Sequence, residues 1–466
     1  MLFRLVYDDD LAHASYLIGC QRTDEAIVID PARDVDRYFA IAEQEGLRLV
    51  AAAETHLHAD YLSGLREFAE KGCRVYASAE GGPDWRYRWL ETDDAAERYD
   101  AAALNDGDVF AVGNIRFRTI HTPGHTPEHL CFEVTDLGGG ASAPMGVLTG
   151  DFVFVGDVGR PDLLESAAGE AGAMEPAARQ LAGSLRRFTA LDDYLQVWPG
   201  HGAGSACGKT LGAVPQSTVG YEKRFNEALR GAADVEAFVG SILAGQPEPP
   251  PYFARMKREN RDGPAVLRSL PRPGRISMAD VPNDAVLLDC RSWDEFRQGH
   301  RPGSLNAPLD RQFTTAVGSY IEPGRPIVLV ADQSAVEPAV RRLVRVGLDE
   351  VAGFVVPADL TGATETIEEI GVEEARRRLG AGQARLLDVR RRGEFEEAHA
   401  LGAEHRPHVR MALLADEIPA DKPVMCMCRS GKRSARACAL LQARGRPVIN
   451  VEGGFLAWDA AGLPTE

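Results

Sequence analysis

Short apolar runs separated by polar, glycine-containing stretches recur along the chain. "AIVID" at 26–30, "CRVYAS" at 73–78, "IRFRTI" at 115–120 and "CFEVTD" at 131–136 predict strands, while "DVDRYFAIAEQEG" at 34–46 carries helical spacing. Further on, "AVLLDC" at 285–290 and "PIVLVA" at 326–331 read as buried strands, and "VEPAVRRLVRVGL" at 336–348 and "RSARACALLQARG" at 433–445 as helices. Strands alternating with helices in this later part predict parallel α/β sheets. In the earlier part the histidines and aspartates cluster where strand-like runs end, a placement that gathers side chains at one edge of a sheet.

The later part also repeats itself. "VLLDCRSWDEF" at 286–296 matches "RLLDVRRRGEF" at 385–395, an offset of 99, and "PIVLVAD" at 326–332 matches "PVMCMCR" at 423–429, an offset of 97. A period of about 100 residues indicates a duplicated domain, being too long for a solenoid unit. The proline-rich "GQPEPPPYFARMKRENRDGP" at 245–264 predicts a connector. The expected organisation is a first domain over 1–245, a linker over 246–270, and two copies of the repeat over 271–360 and 361–466.

Length agrees with this division, because 466 residues exceed what one core supports. A 44% hydrophobic and 26% charged composition is that of a globular protein, and a net charge of −17 argues against nucleic acid or an anionic membrane as partner. Groups that hold anionic substrates must therefore be locally concentrated. The amino terminus lacks a signal-peptide pattern, no apolar run reaches membrane-spanning length, and the eight scattered cysteines form no disulfide framework. Reduced thiols and a cytoplasmic location are expected.

Four clusters carry chemistry in the first domain: His56, His58 and Asp60 in "THLHADY", "HTPGHTPEH" at 121–129, Asp151 in "TGDFVF", and His201 in "WPGHG". Histidine with carboxylate suits a first-row transition metal. Taken together these motifs resemble the metallo-β-lactamase superfamily over about residues 1–240. "TGDFVFVGDVGRPDL" at 149–163 and "HGAGSACGKTLGAVPQSTVGYEKRFN" at 201–226 are similar to its persulfide dioxygenase branch. That resemblance implies one Fe(II) per chain held by His56, His125 and Asp151, with open positions for a thiolate-type substrate and O2. Tyr61 stands where a second metal of a hydrolase would require histidine, which disfavours a two-metal centre. Tyr61 departs from the dioxygenase pattern as well, and leaves the surroundings of Asp60 undetermined. His58 and His201 are expected around the site rather than on the metal, and His121 and His129 as packing or supporting groups. Arg160 is either an anchor for substrate carboxylates or the partner of Asp162. Cys207 follows His201 closely enough to line the metal pocket, and Cys20 lies beside a loop.

In the last domain "CRSGKRS" at 428–434 follows an apolar strand and precedes a helix. A cysteine there sits over a helix amino terminus, where free N–H groups favour a thiolate, and Arg429, Lys432 and Arg433 add positive charge. With "LLDVR" and "VEGGFLAW" this region resembles tandem rhodanese domains. Arginine falls at Arg433 and Ser434 occupies the sixth position after the cysteine, a spacing that implies sulfur transfer rather than phosphate hydrolysis. Cys428 would then carry a persulfide. Ala331 stands opposite Cys428 in the first copy, whose loop reads "ADQSAVE", so that copy is expected to be catalytically inactive. Cys73, Cys131, Cys290 and Cys438 read as core, and Cys426 as core or a resolving thiol.

The fold expected is α/β throughout, an αββα metallo-β-lactamase sandwich followed by two α/β/α rhodanese-like domains. The whole resembles persulfide dioxygenase–sulfurtransferase fusions of sulfide detoxification. The resemblance implies a low-molecular-weight thiol persulfide, O2, sulfite and thiosulfate as small-molecule partners, and a homo-oligomer. Two other readings stay open: a glyoxalase II-like thioester hydrolase fused to a sulfurtransferase, and a non-enzymatic persulfide carrier using Cys428 alone.

Overall fold

The computed structural model describes residues 1–466 except Ala168, Thr210 and Ala363. It divides into two compact units, residues 1–270 with 345–347, and residues 271–344 with 348–466. In the first unit one six-stranded sheet runs in sequence order through β1 (Leu2–Asp8), β2 (His13–Cys20), β3 (Glu25–Ile29), β4 (Arg48–Ala53), β5 (Arg74–Ser78) and β6 (Ala101–Leu104). A second comprises β7 (Val109–Val112), β8 (Ile115–His121), β9 (Leu130–Asp136), β10 (Gly146–Gly150), β11 (Gln196–Pro199) and β12 (Ser217–Thr218), again in sequence order.

Alternation along the strands builds the layers. Ala14, Tyr16, Ile18, Ile27 and Ile29 meet Phe117, Phe132, Leu148 and Trp198 between the two sheets. The intervening positions, Leu17, Ala26 and Val28, turn the other way and pack with Tyr38 from α1 (Asp36–Gln44) and Leu65 and Phe68 from α2 (Leu65–Glu70). On the far face Val147 and Val197 pack with Ala178, Leu181 and Leu185 of α3 (Met174–Thr189). Strands buried on both faces read as near-continuous apolar runs, which is why β2 and β3 show no polar face. Burying each large side chain fully contributes about 1.5–3 kcal/mol before entropy is counted.

The segment expected as a linker behaves differently. Residues Phe253–Asp262 form a helix, α4, and the first unit extends to Leu270. The prolines end before it, and "FARMKREN" places Phe253, Met256 and Asn260 on one buried stripe. Local composition marked this helix as part of a connector.

Among the described residues of the second unit the sheet strands pair in parallel, apart from isolated antiparallel bridges at His300–Glu365 and Ala400–Thr465. β13 (Val286–Asp289), β14 (Leu305–Asn306), β15 (Ile327–Val330) and β16 (Val351–Val355) form a sheet ordered β14-β13-β15-β16. β17 (Glu368–Ile370), β18 (Arg385–Asp388), β19 (Glu404–His405), β20 (Val424–Met427) and β21 (Val448–Val451) form another, ordered β17-β21-β20-β18-β19. The duplication extends to register: Asp289 pairs with Asn306 and Val330 as Asp388 pairs with His405 and Met427. The α/β architecture expected of both halves is the one observed. Among the described residues no helix is long and apolar enough to cross a membrane.

Candidate metal centre and cysteine loop

β4 ends at Ala53, and the turn that follows carries His56, His58, Asp60 and Tyr61; β8 and β9 flank His125; β10 leads into Asp151 and β11 into His201. All of these side chains except Asp60 are at most 2% exposed, and Asp60 is 4% exposed. His56, His125 and Asp151 bring three potential ligand atoms within 4.8 Å of one another. The Nε2 atoms of His56 and His125 lie 3.8 and 3.6 Å from Asp151 Oδ2.

Hydrogen bonds outside this group set which atoms point inward. Thr55 Oγ1 donates to Asp30 at 2.9 Å and so accepts from His56 Nδ1 at 2.9 Å. His125 Nδ1 lies 3.2 Å from the Arg160 carbonyl oxygen, which can only accept. Burial and neighbouring histidines hold His56 well below its ordinary pKa, and burial also lowers His125. Both rings are therefore neutral with Nε2 lone pairs aimed at Asp151, the state a metal ligand needs. His129 supports the carboxylate from behind: its Nε2 accepts the Asp151 N–H at 3.1 Å and its Nδ1 reaches Thr122 Oγ1 at 2.8 Å. Among the described residues neither carboxylate oxygen of Asp151 accepts a hydrogen bond. A buried carboxylate without donors is costly unless a cation compensates it, so this donor set fits a first-row transition cation.

A second group of the same kind emerges from residues that the sequence placed only around the metal. Asp60, His201 and Cys207 also bring ligand-type atoms within 4.8 Å of one another. His201 Nδ1 faces the Ala12 carbonyl at 3.1 Å, leaving Nε2 between Asp60 Oδ2 at 3.4 Å and Asp151 Oδ1 at 3.6 Å. Burial raises the pKa of Asp60, and burial beside Asp60 and Asp151 pushes that of Cys207 well up. The two oxygens of Asp151 thus address the two groups separately.

Tyr61 is fully buried and its hydroxyl lies 2.7 Å from His13 Nε2. His13, the first residue of β2, was not singled out from the sequence, where it is a lone histidine before an apolar strand without a motif. Its ring centroid is 5.5 Å from that of His201 and 5.9 Å from that of His58. His58 itself leans on Asp30, Nε2 to Oδ1 at 3.3 Å. Burial, the largest single influence, would lower its pKa, but Asp30, Glu54 and Asp60 together outweigh it and push it up to about 9. His121 is half-buried and bonds to the Pro127 carbonyl, outside the group.

Arg160 takes the ion-pair arrangement. Its guanidinium is fully buried, forks onto Asp162 at 3.1 and 2.7 Å, and donates to the carbonyls of Ala206 and Pro247. With those donors engaged it fixes the loop that presents Cys207. Asn260 of α4 was also missed. Its Nδ2 donates to the carbonyls of His58 and Tyr61, and its Oδ1 accepts from Ser63 N–H, each at 2.8 Å. Glu128 Oε1 secures the same turn through Leu57 N–H at 2.8 Å.

Cys428 lies just past β20 and just before α6 (Lys432–Ala443), after α5 (Arg392–Glu397) earlier in the same copy. Its Sγ accepts from Gly431 N–H at 3.2 Å and lies 3.5 Å from Ser434 Oγ. Cys428, Arg429, Lys432 and Arg433 all line a cavity of ≈ 570 Å³. Arg433 does not point freely at the sulfur: it forks onto Glu394 of α5 at 2.6 and 2.8 Å. Against the desolvation of its site, Arg433 holds the Glu394 carboxyl down at about 2. Ala331 follows β15 as Cys428 follows β20, so the register of the duplication leaves the first copy without a thiol at this place. All eight cysteines are free; Cys20 is buried, with its sulfur 3.3 Å from Asn114 N, away from both groups.

Comparison with known proteins gives the scaffold. The family model described as the metallo-β-lactamase superfamily matches residues 8–201, and the rhodanese-like domain model matches residues 277–362 and 371–461. A crystal structure described as a metallo-β-lactamase from Staphylococcus aureus subsp. aureus COL is 40% identical with a TM-score of 0.68, over 77% of this chain and 99% of that one. The mitochondrial persulfide dioxygenase ETHE1 of Bos taurus is 28% identical over 36% of this chain and 59% of its own length. A hydroxyacylglutathione hydrolase of Gloeobacter violaceus is 34% identical over 38% of this chain and 58% of its own. The chain spans less than two thirds of either curated relative, and their names denote different reactions. The chemistry must be argued from the residues.

Proposed function

This chain belongs to the metallo-β-lactamase superfamily and carries two rhodanese-like domains after that fold, and from that premise we propose that it is a persulfide dioxygenase coupled to a sulfurtransferase. The observation that carries the reading is the presence in one chain of a two-histidine, one-carboxylate group and a cysteine cradled as a sulfur carrier. Fe(II) held by His56, His125 and Asp151 would supply the redox chemistry and open positions for persulfide and O2. Thr55, the Arg160 carbonyl and His129 keep the three ligand atoms on one point, and burial of the group excludes bulk water. The reaction balances as RSSH + O2 + H2O giving RSH + sulfite + 2 H⁺. The sulfane sulfur rises from 0 to +4, and its four electrons reduce O2.

Cys428 would take sulfane sulfur from a second persulfide. Its thiolate attacks the outer sulfur, the carrier's S–S bond breaks, and RSH leaves with the persulfide proton. Gly431 N–H and the loop cations hold the resulting Cys428 persulfide anion. Sulfite then attacks the outer sulfur, releasing thiosulfate and regenerating the thiolate. The copy around Ala331 forms no persulfide. In this reading the protein removes reactive sulfide-derived species in the cytoplasm.

The second reading, a thioester hydrolase fused to a sulfurtransferase, is favoured by one observation: Asp60, His201 and Cys207 form a further ligand-capable group beside Asp151. The two separate on product analysis of anaerobically iron-loaded protein given glutathione persulfide. The dioxygenase consumes O2 and forms sulfite and thiosulfate; a hydrolase consumes none and instead cleaves S-lactoylglutathione.

A further inference from the structure

The copy of the repeat that lacks the cysteine also lacks a histidine. β14 and β19 correspond in register, and after the matching prolines Pro308 and Pro407 the first copy has Leu309 where the second has His408. His408 opens the turn His408–Arg410, gives its backbone N–H to the Val389 carbonyl at 3.0 Å, and lines the cavity of ≈ 570 Å³ that holds Cys428. A residue needed only to fill this place could be leucine, as in the first copy. We infer that His408 is a specificity residue of the cysteine site, giving a hydrogen bond to an oxygen of the sulfite that takes sulfur from Cys428. The inference rests on the sulfur-transfer reading and adds the residue that tells an oxyanion from other acceptors.

The surroundings fix the state of the ring. His408 is 7% exposed. Among the described residues its Nδ1 is covered and has no hydrogen-bond partner, and Nε2 has none either. Burial first, then the guanidiniums of Arg433, Arg436 and Arg391, hold its pKa well below the ordinary 6.5, with Glu394 opposing them. The ring is therefore neutral and has one N–H to give. A covered nitrogen that meets no acceptor keeps a lone pair at less cost than an N–H, which places the proton on Nε2. The protein leaves that donor unused.

Cys428 has partners of its own, Gly431 N–H at 3.2 Å and Ser434 Oγ at 3.5 Å from Sγ, so the imidazole is left for the group that comes in. Sulfite is the acceptor with most need of donors, because its oxygens carry its charge and lose water on entering the cavity. Arg429 and Lys432 line the same cavity and supply positive charge, while Arg433 is engaged with Glu394. In the transfer the lone pair of the sulfite sulfur forms a bond to the outer sulfur of the Cys428 persulfide. The bond from that sulfur to Sγ breaks, its electron pair stays on Sγ, and thiosulfate leaves. No proton moves, so a donor that keeps its proton suits the step. Cyanide attacks through carbon and has no oxygen for the imidazole to hold.

The test loads Cys428 of the full-length protein with sulfur from glutathione persulfide without O2, removes the excess donor, and measures single-turnover unloading to sulfite and to cyanide. The readout is the ratio of the two rate constants, sulfite over cyanide, which damage to Cys428 or its loop would leave in place. His408→Leu, the residue of the first copy, should lower that ratio about tenfold, the worth of one hydrogen bond to an anion. His408→Gln, which restores an N–H near the place of Nε2, should bring most of the ratio back. If His408→Leu does not fold, His408→Met lacks the donor as well and carries the same prediction. A ratio that stays at the wild-type value in the leucine or methionine variant, or stays low in His408→Gln, overturns the inference while the sulfur-transfer reading stands. A wild-type protein whose Cys428 takes up no sulfur overturns that reading and the inference with it.

Discussion

The metal group of the first unit draws its atoms from residues 56, 125 and 151, each on a different turn, whereas the second unit holds Cys428 in one contiguous stretch, the turn 428–431 and the start of α6. The first arrangement depends on everything that fixes those turns. Asn260, about two hundred residues away in sequence, ties down the His58–Ser63 turn, and Arg160 braces the Cys207 loop. The second is held by Gly431 N–H on the sulfur, by Glu394 of α5 on Arg433, and by the N–H groups of Phe455 and Leu456 on the Cys428 and Arg429 carbonyls, all within one copy of the repeat. A dispersed site is therefore exposed to substitutions across its whole unit, whereas a contiguous one is exposed to fewer.

The comparison can be broken at its strongest point first. His125→Ala should abolish O2 uptake, a loss of more than about a hundredfold since a primary ligand is removed. Sulfur transfer by Cys428 should not change, and thiosulfate-to-cyanide assay of the same sample checks this. Loss of both activities together would mean that the sites are not separable.

Asn260→Ala should act at a distance. It removes three buried hydrogen bonds and leaves their partners unsatisfied, which costs about 3 kcal/mol and lowers iron affinity by about tenfold. Thermal unfolding and competition with a chelator measure the two effects. An unchanged iron affinity would show that the turn carrying His58 holds itself.

Glu394→Gln should have the smallest effect, a several-fold loss of sulfur transfer near neutral pH with O2 uptake intact. Its pH dependence has a definite sign. The Glu394 carboxyl is held at about 2, below its ordinary 4.5, so the pair with Arg433 stabilises the fold fully above pH 4.5 and less as pH falls toward 2. The difference in stability between Glu394→Gln and the natural protein should shrink across that window. Unfolding by denaturant at several pH values measures it, and a constant difference would remove the ion pair from the account.

The same contrast governs what could be read from the sequence. The cysteine loop was legible because Cys428, Arg429, Lys432 and Arg433 are contiguous and sit between a strand and a helix pattern. The clusters around the metal group were legible as short motifs at strand ends, and the resemblance those motifs carry singled out His56, His125 and Asp151. Alternation of strands with helices gave the parallel sheets of the repeats, the resemblance gave the sandwich of the first domain, and the offset of 99 residues gave the duplicated register. What stayed hidden comes from contacts between distant segments, which leave no local period. His13 against Tyr61, Asn260 under the metal turn, and Glu394 on Arg433 are all of this kind. Arg160 offered two readings, and its fork onto Asp162 is a contact that the sequence did not single out over the other. The helix Phe253–Asp262 was obscured by the prolines just before it. Cys207 lay in a stretch already suspected, but its grouping with Asp60 and His201 required the fold.

The most direct test of the central claim is O2 consumption by anaerobically iron-loaded Cys428→Ser protein given glutathione persulfide, with metal content measured on the same sample. The account predicts undiminished uptake, sulfite as the accumulating product in place of thiosulfate, and about one iron per chain, as expected of a two-histidine, one-carboxylate centre. No uptake, together with about two zinc ions per chain as in a two-metal hydrolase, would contradict it.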